Sequence, residues 1–171
     1  MADIRVKIAG LEYENPVIVA AGPPSKDAEA FRACVENGAA GGVAKTVSAV
    51  PANVPKPCMH DFKGKLFLNT ELWSELSVEH WVAEEYEKCK VNNEPLIIGM
   101  GYVESDIRTL IPMLDKYADA YEISSHYVGR DLTPMLNTLR AAKELTKKPV
   151  FMKVSPGVEN LGEVGRILEE N

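Results

Sequence analysis

Short apolar runs alternate with longer amphipathic stretches along most of this 171-residue chain. Apolar residues at 4, 6 and 8 alternate with polar ones before a turn at Ala9-Gly10, which predicts an N-terminal β-hairpin ending near Tyr13. Later runs are continuously apolar and rich in β-branched residues, as in parallel strands that are buried on both faces. These predicted strands cover residues 17–21, 41–46, 96–100, 120–124 and 150–154.

Stretches with helical periodicity separate the predicted strands. They cover residues 28–35, 77–91, 105–117, 133–145 and 161–170. Ser25 or Asp27 and Ser77 are suitable caps for the first two helices, and Pro112 is expected to kink the third. The connection over residues 47–76 is unusually long, and connections of that length commonly form active-site loops or lids.

The strict alternation of strands and helices predicts an α/β fold of right-handed βαβ units in a single domain over residues 1–171. Two architectures remain open at this stage, a doubly wound flavodoxin-like sheet and a (β/α)₈ barrel. A barrel uses about 31 residues per unit, so this length provides about five units and not eight. The hydrophobic pattern alone does not decide between the two.

Composition and charge narrow the possible functions. The chain is 46% apolar with a formal charge of −6, which excludes disorder and argues against nucleic-acid or anionic-membrane partners. No apolar run reaches the ~18 residues of a membrane span, and the N-terminal residues lack a signal-peptide core. Cys34, Cys58 and Cys89 have no metal-binding spacing, so we predict reduced thiols, no metal site and a cytoplasmic protein.

The candidate chemistry lies at the carboxyl ends of the predicted strands, where parallel α/β folds gather reactive groups. Lys45-Thr46 ends the second strand, Ser124-Ser125-His126 the fourth and Lys153 the fifth. A fixed ammonium at such a position suits an electron-rich cofactor or an anion. AAGPPSK follows the first strand where a dinucleotide-binding protein has GxGxxG, which argues against a Rossmann site.

Taken together, these strand ends resemble the flavin domain shared by dihydroorotate dehydrogenases and dihydropyrimidine dehydrogenases. The similar segments occur in the family's order and run through nearly the whole chain. They are IRVKIAGLEYENPVIVAAG, KTVS from Lys45, FLNTE from Phe67, YEISSH and FMKVSP. The resemblance implies an FMN-binding (β/α)₈ barrel, represented here by an incomplete set of about five units after an N-terminal hairpin.

The resemblance also implies a role for several residues at the cofactor. The small residues Ala20, Ala21 and Gly22 would lie along the isoalloxazine ring. Lys45 would sit near the flavin with Thr46 contributing contacts, and Lys153 would hydrogen-bond the N1/O2 edge of the ring.

A second set of residues is implied at the substrate. Ser125 aligns with the catalytic base, which would remove a proton from a dihydropyrimidine-like substrate during hydride transfer to flavin N5, with His126 as a proton relay. Asn69, Glu71, Glu122 and Ser124 are assigned to the substrate site. Glu122 replaces the family's pyrimidine-binding asparagine, and a carboxylate there would repel an anionic orotate-like substrate.

Three functions compete at this stage. The first is an FMN-dependent dehydrogenase acting on CH–CH groups of a small molecule. The second is a non-catalytic half-barrel or partner subunit, because the family's phosphate-binding loops have no counterpart in this sequence. The third is an aldolase-type barrel with Lys45 or Lys153 as a Schiff-base amine. A homo-oligomer, or a second chain that completes the barrel, is expected.

Overall fold

The computed structural model describes residues 2–171 and opens with the expected hairpin. Strands β1 (Val6–Ile8) and β2 (Leu11–Tyr13) pair antiparallel, with Val6 opposite Tyr13. Both turn residues have positive φ, 49° at Ala9 and 87° at Gly10. A two-residue turn with this conformation matches the right-handed twist of the strands that it joins, and the predicted hairpin is confirmed.

The remaining strands form one parallel sheet and a second small hairpin. In chain order they are β3 (Gly42–Val47), β4 (Met59–Asp61), β5 (Phe67–Asn69), β6 (Leu96–Met100), β7 (Ala120–Ser124) and β8 (Val150–Lys153). The parallel sheet has the order β3-β6-β7-β8, and β4 pairs antiparallel with β5.

Helices follow the strands of the sheet. They are α1 (Ala28–Glu36), α2 (Val78–His80), α3 (Tyr86–Cys89), α4 (Glu104–Leu114), α5 (Thr133–Leu145) and α6 (Leu161–Glu170). A π-helical turn, Trp81–Glu85, joins α2 to α3, so the predicted helix over 77–91 is interrupted in its middle. The predicted caps are confirmed, because the side chains of Asp27 and Ser77 accept hydrogen bonds from the N–H groups of Ala30 and His80.

The strand order bears on the architecture that the sequence left open. Neighbouring strands of the parallel sheet follow one another along the chain without a reversal, whereas a doubly wound sheet has a reversal at its switch point. Right-handed crossovers in one direction place the connecting helices on a single face of the sheet. The α/β prediction is confirmed, and the arrangement is compatible with part of a β/α barrel.

The core lies between the sheet and its helices. Successive residues of a strand point to opposite faces, and one set of alternate residues in β6 and β7 packs against the helices with essentially no exposure. The largest buried members of this core include Trp81, Tyr86, Tyr121, Ile98, Ile107, Leu110 and Ile123. A smaller apolar cluster of Val43, Ile97 and Ala120 occupies the opposite face, where Phe151 packs against it.

The predicted first parallel strand, residues 17–21, is reduced to a short parallel contact, in which the Val19 N–H donates to the Gly41 carbonyl at 3.0 Å and the Val43 N–H donates to the Val19 carbonyl at 2.8 Å. Only Val19 forms a bridge, to Gly42, and Val17 is 63% exposed. The Ser25 hydroxyl accepts from the Gly22 N–H and donates to the Ala20 carbonyl, at 3.2 and 3.3 Å. These local hydrogen bonds draw the end of the segment into a turn, in competition with a strand ladder.

The long connection over 47–76 contains structure that the sequence pattern did not predict. The hairpin of β4 and β5 stands in its middle, and the side chains of Phe62, Leu66 and Phe67 there are 45–61% exposed. Helix α4 begins one residue earlier and ends three residues earlier than predicted, with Pro112 inside it. No helix within residues 2–171 is long and apolar enough to cross a membrane.

Candidate functional site

A cavity of about 1050 Å³ opens at the carboxyl edge of the parallel sheet. Its lining comes from the ends of β3, β7 and β8, the loop after β5, and the first residues of α4 and α5. Ten of the twelve sequence-predicted site residues line it. They are Ala21, Gly22, Lys45, Thr46, Asn69, Glu71, Ser124, Ser125, His126 and Lys153.

The two lysines that the sequence singled out therefore border the same space. Lys45 lies near the end of β3, and its ammonium is 2.7 Å from a carboxylate oxygen of Glu71. Both side chains are largely buried, with 7% and 17% exposure. The Glu71 backbone N–H in turn donates to Asn69 Oδ1 at 2.7 Å, so the loop after β5 is fixed on the strand end.

Lys153 ends β8 and has a carboxylate partner of its own. Its Nζ donates to Glu122 Oε1 at 2.7 Å, and its side chain is 43% exposed. Glu122 lies on the neighbouring strand β7 and is not part of the cavity lining. Its alternate position on β7 directs it to the face away from the helices, together with Gly99 and Phe151.

Two hydroxyl groups line the same cavity as the lysines. Thr46 and Ser124 are buried, and their oxygens are 3.2 Å apart. Gly99 makes this pair possible, because a Cβ there would lie 2.7 Å from the Ala44 carbonyl and 3.1 Å from Thr46 Oγ1. A branched residue at 99 would therefore displace the end of β3 from its neighbouring strand.

Ser125 follows β7 and is 9% exposed. Its N–H donates to the Lys153 carbonyl at 2.9 Å, so the residue still follows the register of β8. Its Oγ accepts from the Tyr127 N–H at 3.4 Å. One backbone hydrogen bond thus fixes the main chain of Ser125, and another reaches its hydroxyl.

One wall of the cavity is aromatic, and the sequence analysis missed it. The Tyr102 ring lies 5.3 Å from the ring of Trp73 and 4.9 Å from that of His126. Burial, with the nearby Asp106 carboxylate, raises the pKa of Tyr102 to about 12. His126 is exposed and contacts Tyr102; its predicted role as a relay for Ser125 stays a prediction.

Ala20 does not border the cavity, although Ala21 and Gly22 do. Its carbonyl instead accepts the Ser25 hydroxyl within the turn described above. The signal for the aromatic wall was present in the sequence as Trp73 in the long connection and Tyr102 directly after β6. Strand-end position alone would have identified Tyr102.

The fold and this edge define a class, a parallel β/α protein with a cofactor-sized cavity at its strand ends. No protein-family model matches the chain. Among curated proteins, it is 24% identical to the dihydroorotate dehydrogenase B (NAD(+)) catalytic subunit of Pyrococcus furiosus, over 98% of this chain and 58% of the relative. The proteins of the same name from Thermoplasma volcanium and Thermococcus kodakarensis are 27% and 25% identical, over 99% of this chain.

The similarity therefore extends over nearly the whole chain, and the resemblance inferred from the sequence is confirmed. The chain spans about 58–60% of the length of these relatives.

Proposed function

We propose that this chain forms part of an FMN-dependent dehydrogenase that oxidises a CH–CH bond in a dihydropyrimidine-like small molecule. The observation that carries the proposal is the convergence of Lys45, Lys153 and Ser125 on one cavity. The similarity to catalytic subunits of dihydroorotate dehydrogenase B supports it, because the matched region contains all three residues.

The residues present fit the ring system of a flavin. Ala21 and Gly22 offer a wall without bulky side chains, and the two lysines offer N–H donors to a polar ring edge. The cavity volume is also close to the upper limit of the range for small-molecule and cofactor sites. The flavin phosphate does not have a free lysine in the described lining, because both lysines there are already paired with carboxylates. The proposal therefore assigns the ring system, and not the phosphate, to these residues.

A bound flavin would supply the acceptor for a hydride from the substrate. Around it, Lys45 and Lys153 would stabilise negative charge on the ring edge that they contact. The hydroxyl pair of Thr46 and Ser124 could donate and accept hydrogen bonds, which suits a ring bearing both carbonyl and N–H groups.

Ser125 is the candidate general base. The Tyr127 N–H directed at its oxygen would stabilise the charge that develops when the hydroxyl gives up its proton. Because a serine hydroxyl is a weak base, its proton must pass to a further acceptor. His126 borders the same cavity and remains the proposed acceptor.

The competing functions have less support. A non-catalytic half-barrel does not account for a buried lysine and paired hydroxyls directed at one cavity. An aldolase-type mechanism needs a free amine as the nucleophile, whereas the Nζ atoms of Lys45 and Lys153 are each engaged by a carboxylate oxygen at 2.7 Å.

Flavin titration tests the proposal. Quenching of riboflavin and FMN fluorescence should saturate at one flavin per chain, with the two dissociation constants within about threefold, because phosphate contacts add little. Lys153→Met should weaken binding about tenfold, the usual effect of losing a charged hydrogen bond. Lys147→Met, at an exposed position away from the cavity, is the matched control.

Two results would contradict the proposal. One is a lack of saturation by either flavin with protein that is folded by circular dichroism. The other is equal weakening by Lys153→Met and Lys147→Met, which would place flavin binding elsewhere.

A further inference from the structure

The positive features that border the cavity share one property. Each of them is already matched by a carboxylate of the same chain. The features are the two lysines and the amino ends of α4 and α5, all of which contribute to the lining.

The lysine pairs are close and direct. Glu71 and Glu122 each lie 2.7 Å from their lysine, and both carboxylate side chains are only 17% exposed. A carboxylate in this position offsets the positive charge that would attract an anionic ligand, and it takes one of the three N–H donors of the ammonium.

The two helix ends are matched in the same way. A helix amino terminus carries about half a positive charge and commonly binds anions. At α4, Glu104 lies in the first turn, and Asp106 accepts from the Tyr102 N–H at 3.0 Å. At α5, Asp131 accepts from the Thr133 N–H at 3.0 Å, and hydrogen bonds from Thr133 hold the pKa of that carboxyl below its usual value.

We propose that the cavity selects an uncharged or cationic ring and rejects one that bears a carboxylate, and that Glu71 and Glu122 determine this specificity. The inference takes the kind of ring, a pyrimidine, from the proposed function. The charge preference itself follows from the paired lysines, because an anion must displace a carboxylate or lie beside it.

Glu71 and Glu122 carry this effect more than the other acids do. Their burial weakens the screening by water and salt, although it does not abolish it. Glu104, in contrast, is 41% exposed, and Asp131 is exposed as well. A buried charge acts on a ligand in the cavity at lower effective dielectric than an exposed one does.

The relatives are named for dihydroorotate, a ring with a carboxylate. This chain is expected to prefer the same type of ring without that charge. The matched probes are orotate and its methyl ester, which differ in charge and little in shape. Binding is measured by calorimetry at about pH 8, where ordinary histidines are neutral.

The methyl ester should bind at least about tenfold more tightly than orotate. Raising NaCl from about 50 mM to about 500 mM should reduce the ratio, because salt screens the repulsion. Glu122→Gln and Glu71→Gln should each reduce the ratio by about threefold or more. Glu163→Gln, on the exposed face of α6, should leave the ratio unchanged.

Orotate binding as tightly as its ester, or binding of neither probe, would overturn the inference. A ratio that persists in both Glu71→Gln and Glu122→Gln would overturn the roles of these two residues. These titrations use the chain without flavin, so their outcome is independent of the flavin titration described above. Absence of flavin binding with a clear preference for the ester would reject the dehydrogenase and keep the charge selectivity.

Discussion

The two faces of the parallel sheet are built on different principles, although the same strands supply both. In β7, Tyr121 and Ile123 face the helices and are fully buried in apolar packing. The alternate residues, Glu122 and Ser124, face the other way and interact through charge and hydroxyl contacts. A single residue step along the strand therefore separates the packing core from the candidate chemistry.

Substitutions on the helix face should therefore change the stability of the fold, and substitutions on the cavity face should change ligand binding. Close packing on the helix face makes each side chain costly to truncate. On the cavity face, in contrast, the energy of a pair depends on how deeply it is buried. The Lys45 and Lys153 pairs have equal distances, but only the first is protected from water on both sides.

The largest effect is expected on the helix face. Ile98→Ala removes a fully buried side chain from the central strand β6 and should lower the free energy of unfolding by about 4 kcal/mol. Urea denaturation measures the change, and Leu161→Ala at an exposed site is the control. Riboflavin affinity of the folded variant should be unchanged, and a parallel loss of affinity would show that the two faces are not separable.

The buried pair on the cavity face comes next. Glu71→Ala leaves the Lys45 ammonium buried without its partner and should reduce the free energy of unfolding by about 3 kcal/mol. Glu71→Gln, which keeps a hydrogen-bond acceptor, should cost less in the same denaturation experiment. A loss below about 1 kcal/mol in Glu71→Ala would mean that Lys45 finds water instead.

The half-exposed pair should contribute least of the contacts compared here. Glu122→Gln is expected to change the free energy of unfolding by no more than about 1 kcal/mol, because water already screens Lys153. The measurement is repeated at high salt, where the difference from the unmodified chain should shrink further. If Glu122→Gln lowers the free energy of unfolding as much as Glu71→Ala does, burial does not determine the strength of these two ion pairs.

The remaining effect is absent at neutral pH and appears only in alkali, and each face contributes one titrating group. Burial raises the pKa of Cys89, in the helix layer, from 9.0 to about 12, and that of Tyr102, at the cavity, from 10.0 to about 12. Raised folded-state pKa values give stability that is complete below the unfolded values, about pH 9 for Cys89 and about pH 10 for Tyr102, and is lost towards about pH 12.

Urea midpoints measured against pH test this expectation. The decline that begins near pH 9 should be weaker in Cys89→Ala, and the decline above about pH 10 should be weaker in Tyr102→Phe. Below about pH 9 the pH dependence of each variant should follow that of the unmodified chain. Parallel curves throughout the alkaline range would contradict the assignment of these two groups.

The sequence predicted most of the regular elements because their signals are local. Alternation in the first hairpin, the caps Asp27 and Ser77, and the apolar runs of β6 and β7 each depend on a few neighbouring residues. The segment around Val19 has the composition of a strand, but hydrogen bonds of Ser25 divert its end. The hairpin of β4 and β5 turns at Lys63-Gly64, where both φ values are positive, but its strand sequences MHD and FLN do not alternate apolar and polar residues, and it was missed.

The site was predicted in part for a similar reason. Strand ends identified Lys45, Lys153 and Ser125 from topology alone, since parallel strands bring their carboxyl ends together. The partners Glu71 and Glu122 are 26 and 31 residues away from their lysines along the chain, so no local pattern links them. Pairing of that kind depends on sheet register and loop conformation, which only the three-dimensional fold supplies.

The position of a bound flavin tests the central claim most directly. In a crystal structure of this chain with riboflavin, the ring system should lie against Ala21 and Gly22, with a polar edge within hydrogen-bonding distance of the Lys45 or Lys153 ammonium. A ring bound on another surface, or within the cavity but out of reach of both ammonium groups, would contradict the account.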